Sequence, residues 1–321
     1  MTLLFTGANG FVGTELGAEL ARRNIDARGV VRCTGNFSRN YDAWGISDID
    51  GETDWTHTLK DVDVVVHLAA RVHIEKEKTS DPLAEFLKVN CYGTKNLAEQ
   101  AAQANVKRLV YVSSIGVNGR NTHGGDFFSS ADAPHPHSDY AMSKWRAEQA
   151  LWRVAEKTAL EVVVVRPPLI YGPAAKGNFY KLLRAMVKGV PLPLANAENA
   201  RSLVYVGNIV DALICCATSP AAAGQTYLVR DGEDISTAVL VEKIAALLGR
   251  RSRSFHCPTS LLYGVSKLLG RSDQIDQLFG SLRLCDNKIR NDLGWTPPYQ
   301  IDQGLRASVD WWINNEYSTG A

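Results

Sequence analysis

The stretch TLLFTGANGFVGTEL, residues 2–16, decides how the rest of the chain is read. An apolar run ending at Thr6 has the character of a buried strand, and TELGAELARRN, from Thr14 on, has the spacing of an amphipathic helix. Between them stand Gly7, Gly10 and Gly13, with Phe11 and Val12 inside the turn. Glycines at a strand-to-helix junction permit a tight turn, let backbone approach a pyrophosphate and let the helix pack closely on the strand. The helix N-terminus adds a field that favours an anion. These five residues are therefore expected to cradle the phosphates of a dinucleotide.

Outward from this unit the alternation continues. ARGVVR, VDVVVHLAA and RLVYVSS are short β-branched runs, and helical patterns separate them, one of them around residues 86–104. Continuous apolar strands divided by helices predict an α/β fold, a doubly wound parallel sheet of Rossmann type covered on both faces. LEVVVVRPPLIYGP adds one more buried strand ending in prolines, and past Gly172 the regularity gives way to KGNFYKLLRAMVKGVPLP. A domain change is expected there. Residues 1–171, with a return segment near 203–229, form the dinucleotide-binding domain in this reading. Residues 172–202 and 230–321 form a smaller, mostly helical substrate domain, with the last residues frayed.

Composition excludes several classes. With 35 basic and 34 acidic residues the net charge is +1, so no overall field recruits nucleic acid or an acidic membrane, and an anionic ligand must be held locally. Six scattered cysteines (Cys33, Cys91, Cys215, Cys216, Cys257, Cys285) without a CxxC pair read as reduced thiols. The longest apolar run, VDVVVHLAARV, falls short of a membrane span, and the first residues lack a secretory pattern, so a cytoplasmic protein is expected.

The chemistry centres on SDYAMSKWRAEQAL, residues 138–151, where Tyr140 and Lys144 lie one helical turn apart and face the same way. An ammonium beside a phenol favours the phenolate and moves it toward useful acid/base work. Upstream, the end of the second strand carries Arg28 and Arg32 and no acid. An acid there would bind the 2′-hydroxyl of NAD, whereas arginine suits a 2′-phosphate, so NADP(H) is favoured and NAD(H) remains possible. His135 and His137, in APHPHSDY, offer no third or fourth ligand, so no metal is expected. His67 and His73 are expected to make ordinary hydrogen bonds, and Trp311 and Trp312 to pack.

With GxxGxxG at Gly7, the pair Ser113 and Ser114, and YxxxK at Tyr140, the chain resembles the extended short-chain dehydrogenase/reductase family. Its nearest kin look like the nucleotide-sugar epimerases, dehydratases and 4-keto reductases. The resemblance implies that Tyr140 is the general acid/base, that Lys144 lowers its pKa and holds the nicotinamide ribose, and that Ser114 bonds the reacting sugar oxygen, Ser113 being structural. It further implies cofactor contacts from Asp48 and Ile49 at the adenine, from Leu68, Ala69 and Ala70 in HLAA, and from Asn90 and Pro167. Asn178, Arg201 and Arg283 fall where the family binds the nucleotide diphosphate. Related dehydratases carry an acidic pair where this chain has Ile115 and Gly116, which argues against elimination.

Two reactions stay open. The missing ribose acid and Arg32 favour a 4-keto reductase, and HLAARVH, RPPLIYGP and LGWTPP resemble the branch of the family that reduces UDP-4-keto-6-deoxy-N-acetylhexosamines for bacterial surface polysaccharide synthesis. The alternative is a UDP-glucose or UDP-N-acetylglucosamine 4-epimerase with tightly held NAD. A non-catalytic dinucleotide sensor is the distant third, since Ser114, Tyr140 and Lys144 are all kept. The resemblance also implies a homodimer built on the helices near 86–104 and 140–156, with Leu87, Leu97, Trp145 and Leu151 as contacts and core packing as the competing role.

Overall fold

In the computed structural model, which describes residues 1–32, 41–72, 80–268, 276 and 278–317, β1 (Leu3–Thr6) lies at the centre of the chain's first layer. It pairs in parallel with β2 (Ala27–Val31) on one side and β4 (Val64–His67) on the other, Leu3 lying opposite both Ala27 and Val64. β3 (Asp42–Gly45) extends the sheet beyond β2. On the far side come β5 (Arg108–Val112), β6 (Glu161–Arg166) and β9 (Thr226–Leu228), giving seven parallel strands in the order 3-2-1-4-5-6-9. Cys33, His73 and the residues after 317 lie outside the described residues.

Strand side chains alternate between two apolar layers, as the period of two requires. Leu3, Phe5, Val66, Val110 and Val163 pack with Leu16 and Leu20 of α1 (Phe11–Arg22) and with Ile209 and Leu213 of α6 (Val206–Thr218). Leu4, Val65, Leu109 and Val164 pack on the other face with Leu97 of α3 (Thr94–Gln103) and Ala147 and Leu151 of α4 (Asp139–Ala155). Leu97 and Leu151 are both 0 % exposed, so these two expected dimer contacts belong to the chain's own core. The helix expected over 86–104 is divided: α2 (Pro82–Leu87) runs into a π turn, Lys88–Gly93, before α3 begins.

A second, three-stranded sheet holds β7 (Leu169–Tyr171), β8 (Arg201–Tyr205) and antiparallel β10 (Asp234–Ile235). The strand expected to return to the first sheet at 203–205 thus pairs elsewhere, and β9 makes the return. Around the small sheet, α5 (Asn178–Val187), α7 (Thr237–Leu247) and α10 (Ile301–Trp312) bury a core containing Tyr171, Phe179, Leu183, Ile244, Leu305 and Trp312, with Trp311 packed against it. Helices α8 (Thr259–Leu268) and α9 (Asn287–Leu293) lie between α7 and α10 in the chain, and α9 packs on β9.

Arg108, 2 % exposed at the start of β5, ties α6 to the sheet. Its guanidinium donates to the carbonyls of Cys216 (2.9 Å), Ala217 (3.2 Å) and Ser219 (2.6 Å) and to the Glu161 carboxylate (2.8 Å). The Cys216 and Ala217 carbonyls lie in the last turn of α6, where no further helical N–H reaches them. Cys91, Cys215, Cys216, Cys257 and Cys285 carry free thiols. Arg108→Leu should lower unfolding stability by about 3 kcal/mol in a denaturant titration, because the buried acceptors lose their donors together.

Candidate active site

The chain leaves β1 and β4 toward opposite faces, opening a crevice at their C-terminal ends where doubly wound sheets bind ligands. Gly7 has φ +68°, and a Cβ on it would lie 3.0 Å from Ala69 N. A Cβ on Gly13 would lie 2.2 Å from the Gly7 carbonyl oxygen, so the loop closes only without side chains. Gly10 N–H donates to the Gly7 carbonyl at 2.8 Å, and α1 starts at Phe11, followed by Val12, both half-buried. The cradle brings Leu68, Ala69 and Ala70 beside the glycine turn.

A buried hydrogen-bond chain fixes that approach. Thr6 Oγ1 accepts the N–H groups of Leu68 (3.2 Å) and Ala69 (3.1 Å), so its own proton goes to His67 Nδ1 at 2.7 Å. His67 is then the Nε2–H tautomer, donating to Thr94 Oγ1 at 3.0 Å, and Thr94 donates to the Asn90 carbonyl at 2.7 Å. Burial, aided by the Lys144 charge, takes its pKa down to about 3, so it stays neutral.

Several expected cofactor contacts are spent within the protein. Asn90, 1 % exposed, accepts from Arg71 N–H (2.8 Å) and donates to the Arg71 carbonyl (3.0 Å) and Ser143 Oγ (3.0 Å). Its whole amide is engaged, and it anchors the loop after β4 to α4. Arg28 stands near the start of β2, donating to the carbonyls of Thr58 and Lys60 with Trp44 at 4.5 Å, away from the crevice. Arg32 is exposed immediately beyond β2. Asp48 is exposed, its carboxylate accepting the Ile49 N–H at 2.9 Å, while Ile49 is buried against Gly93.

At the end of β5 the segments that carry the three expected catalytic groups meet. Lys144 Nζ donates to the Val112 carbonyl at 2.7 Å, two residues before Ser114, and lies 4.4 Å from the Tyr111 ring centroid. The Ser114 turn packs on the start of α4, since a Cβ on Gly116 would meet Ala141 Cβ at 3.2 Å. Tyr140 meets Phe86 edge-on with ring centroids 6.0 Å apart. Ser114 Oγ accepts Gly116 N–H at 3.1 Å, and Pro167, buried, accepts Ile115 N–H on its carbonyl at 3.0 Å. The electrostatics depart from the expectation. Burial pushes Tyr140 up to about 12, and burial brings Lys144 down to about 7, against the opposing pull of Glu148. In the chain alone, desolvation outweighs the help a lysine one turn away can give the phenol.

On the substrate side, Arg201 and Arg283 stand on paired segments, Ser202 N–H donating to the Leu282 carbonyl at 2.8 Å. Arg201 donates to the Gly280 carbonyl at 2.8 Å, and burial lowers its pKa from the usual guanidinium value. Arg283 is committed elsewhere: it donates to Asp234 (2.9 Å) and the Gly125 carbonyl (3.2 Å) and covers Phe127 at 3.8 Å. Asn178 is exposed at the first turn of α5. His135 and His137 are exposed, and among the described residues no three His, Cys, Asp or Glu side chains converge to hold a metal. Among them, too, no helix is long and apolar enough to cross a membrane.

Residues 3–229 match the model of the NAD dependent epimerase/dehydratase family. The chain belongs to that family. This member of the epimerase/dehydratase family is 38 % identical over 312 residues to the UDP-glucose 4-epimerase of Vibrio cholerae, covering 96 % of this chain and 94 % of the relative. It is 28 % identical over 326 residues, 96 % and 94 % of the two chains, to an Escherichia coli 4-epimerase named for N-acetylglucosaminyl-diphospho-undecaprenol. The fold matches UDP-glucuronic acid 4-epimerase of Bacillus cereus, solved with NAD, at TM-score 0.80 and 18 % identity over 98 % of this chain and 97 % of that one.

Sequence reading passed over Thr6, Glu148, Arg166 and Asn118. Two of these left a signal. Glu148 continues the four-residue step from Tyr140 and Lys144, and Arg166 is a charge ending the apolar run VVVV, where only a partner could make it tolerable. The lysine supplies a test. Folded, it titrates near 7 against an ordinary 10.5, so its burial penalty is full below pH 7 and is relieved as pH rises toward 10.5. Lys144→Met should raise Tm at pH 7 and gain progressively less as thermal scans approach pH 10.

Proposed function

We propose that this enzyme is a UDP-hexose 4-epimerase that keeps one NAD bound, the second of the two reactions the sequence leaves open. The observation that carries it is the 38 % identity over 312 residues with an enzyme named UDP-glucose 4-epimerase. The site agrees with it. Ile115 and Gly116 are buried, Ile115 in an apolar cluster with Leu228 and Leu284, so the two positions that follow Ser114 carry no acid to drive an elimination.

The residues fit a dinucleotide, since the turn packs backbone where Cβ atoms on Gly7 and Gly13 would stand and leaves the first N–H groups of α1 open to a pyrophosphate. Gly7, Gly10 and Gly13 with the first N–H groups of α1 would hold the pyrophosphate. Asp48 and Ile49 would meet the adenine, Leu68 to Ala70 the central ribose and phosphates, and Lys144 the nicotinamide ribose. A nicotinamide held there would supply reversible hydride transfer at C4 of the hexose. Tyr140 takes the proton of the C4 hydroxyl and gives it back, and Ser114 holds that oxygen throughout. A cationic group beside Tyr140 offsets the burial that holds its phenol near 12 in the chain alone. Arg201 would grip the UDP diphosphate as a fork. In this reading residues 1–171 and 203–229 serve the cofactor, residues 172–202 and 230–321 serve the sugar nucleotide, and the enzyme is a cytoplasmic homodimer.

The 4-keto reductase using NADPH keeps one specific support, the exposed Arg32 directly after β2, a residue type that suits a 2′-phosphate. Purified enzyme given UDP-glucose or UDP-N-acetylglucosamine without added cofactor should form the C4 epimer, and Tyr140→Phe should cut kcat about a thousandfold. Consumption of NADPH with a UDP-4-keto-6-deoxy-N-acetylhexosamine, and no epimer from either UDP-sugar, would establish the reductase instead. Binding of dinucleotide without turnover in both assays would leave the sensor.

A further inference from the structure

Ser114 must stand at a set distance from Tyr140 for one oxygen to be shared between them, yet the two belong to different elements. Two neighbours of Ser114 are pinned to one buried ion pair. Ser113 Oγ, on the β5 side, donates to a carboxylate oxygen of Glu148. Asn118, just past the Ile115–Val117 turn, accepts Arg166 Nη1–H on Oδ1 at 2.9 Å. Glu148 and Arg166 bind each other as a fork, Nε to Oε1 at 3.0 Å and Nη2 to Oε2 at 2.6 Å. They are 0 % and 4 % exposed. Glu148 lies on α4 one turn beyond Lys144 and two beyond Tyr140, so one helix carries the phenol, the ammonium and the carboxylate that grips the serine turn.

A pair so deeply buried is a weak device for stability, because an apolar pair of the same volume often serves as well. Its strength is geometric: a planar fork fixes direction and distance together. We propose that Glu148 and Arg166 form a positioning clamp, acting through Ser113 and Asn118, that sets Ser114 relative to Tyr140 and Lys144 for proton transfer at the sugar oxygen. The clamp rests on the epimerase reading. Neither residue touches substrate.

Glu148→Gln would leave Arg166 charged and poorly matched in the core and could prevent folding, so the test uses Ser113→Ala, which leaves both Arg166 bonds to Glu148 intact. The expected result is a fall in kcat of about tenfold with KM for the UDP-hexose unchanged, and with only the modest drop in Tm that one lost buried hydrogen bond brings. In a Ser114→Ala background the same substitution should change kcat less than about twofold, since its effect runs through Ser114. An equal fold loss in both backgrounds, or no loss in either, overturns the clamp while leaving the epimerase standing. If the wild type converts no UDP-hexose, the epimerase reading fails by itself, and crystal structures judge the clamp. Ser114 Oγ displaced by more than about 0.5 Å relative to Tyr140 Oη in Ser113→Ala supports it, and an unmoved Ser114 overturns it.

Discussion

A parallel sheet covered on both faces leaves its strands no polar surface, and that constraint organises the rest of the molecule. Backbone groups are used up in the ladder, and both side-chain layers are apolar. Charged side chains accordingly stand near strand ends, where partners can reach them. His67 ends β4, Ser113 follows β5 and Arg166 ends β6, and each is met by a side chain from a covering helix: Thr94, Glu148 and Glu148 again. The crevice is therefore polar because the layers on either side of it cannot be.

The same burial sets the character of the candidate acid/base pair. Lys144 is 2 % exposed, with the Val112 carbonyl and the Tyr111 ring as its near neighbours, and its proton is held loosely. Tyr140 moves the opposite way for the same cause, because desolvation always penalises the charged form. A phenol held near 12 stays protonated at neutral pH.

The glycine turn shows the close approach in its strictest form. A Cβ on Gly13 would lie 2.2 Å from the Gly7 carbonyl oxygen, and one on Gly7 would meet Ala69 backbone. These contacts join β1, α1 and the loop after β4 at one point, and Thr6 and His67 hold that loop in place beneath them. The glycine turn and the hydrogen-bonded layer under it form one assembly.

What the sequence determined by itself follows from local spacing. The glycine turn, the alternation of strand and helix, and the shared face of Tyr140 and Lys144 all lie within a dozen residues, where period and turn chemistry decide the outcome. Ser114 and the family resemblance were legible for the same reason, each being a short motif in order. What only the tertiary structure decided involves partners distant in the chain. Asn90 spends its amide on Arg71 and Ser143, Arg283 is held by Asp234, Arg28 caps carbonyls near residue 60, and Leu97 and Leu151 face the core. The placement of β8 in the small sheet and the clamp of Glu148 on Arg166 are of the same kind. A side chain's type announces what it can bond, but which partner it bonds depends on what the fold carries within about 3 Å of it.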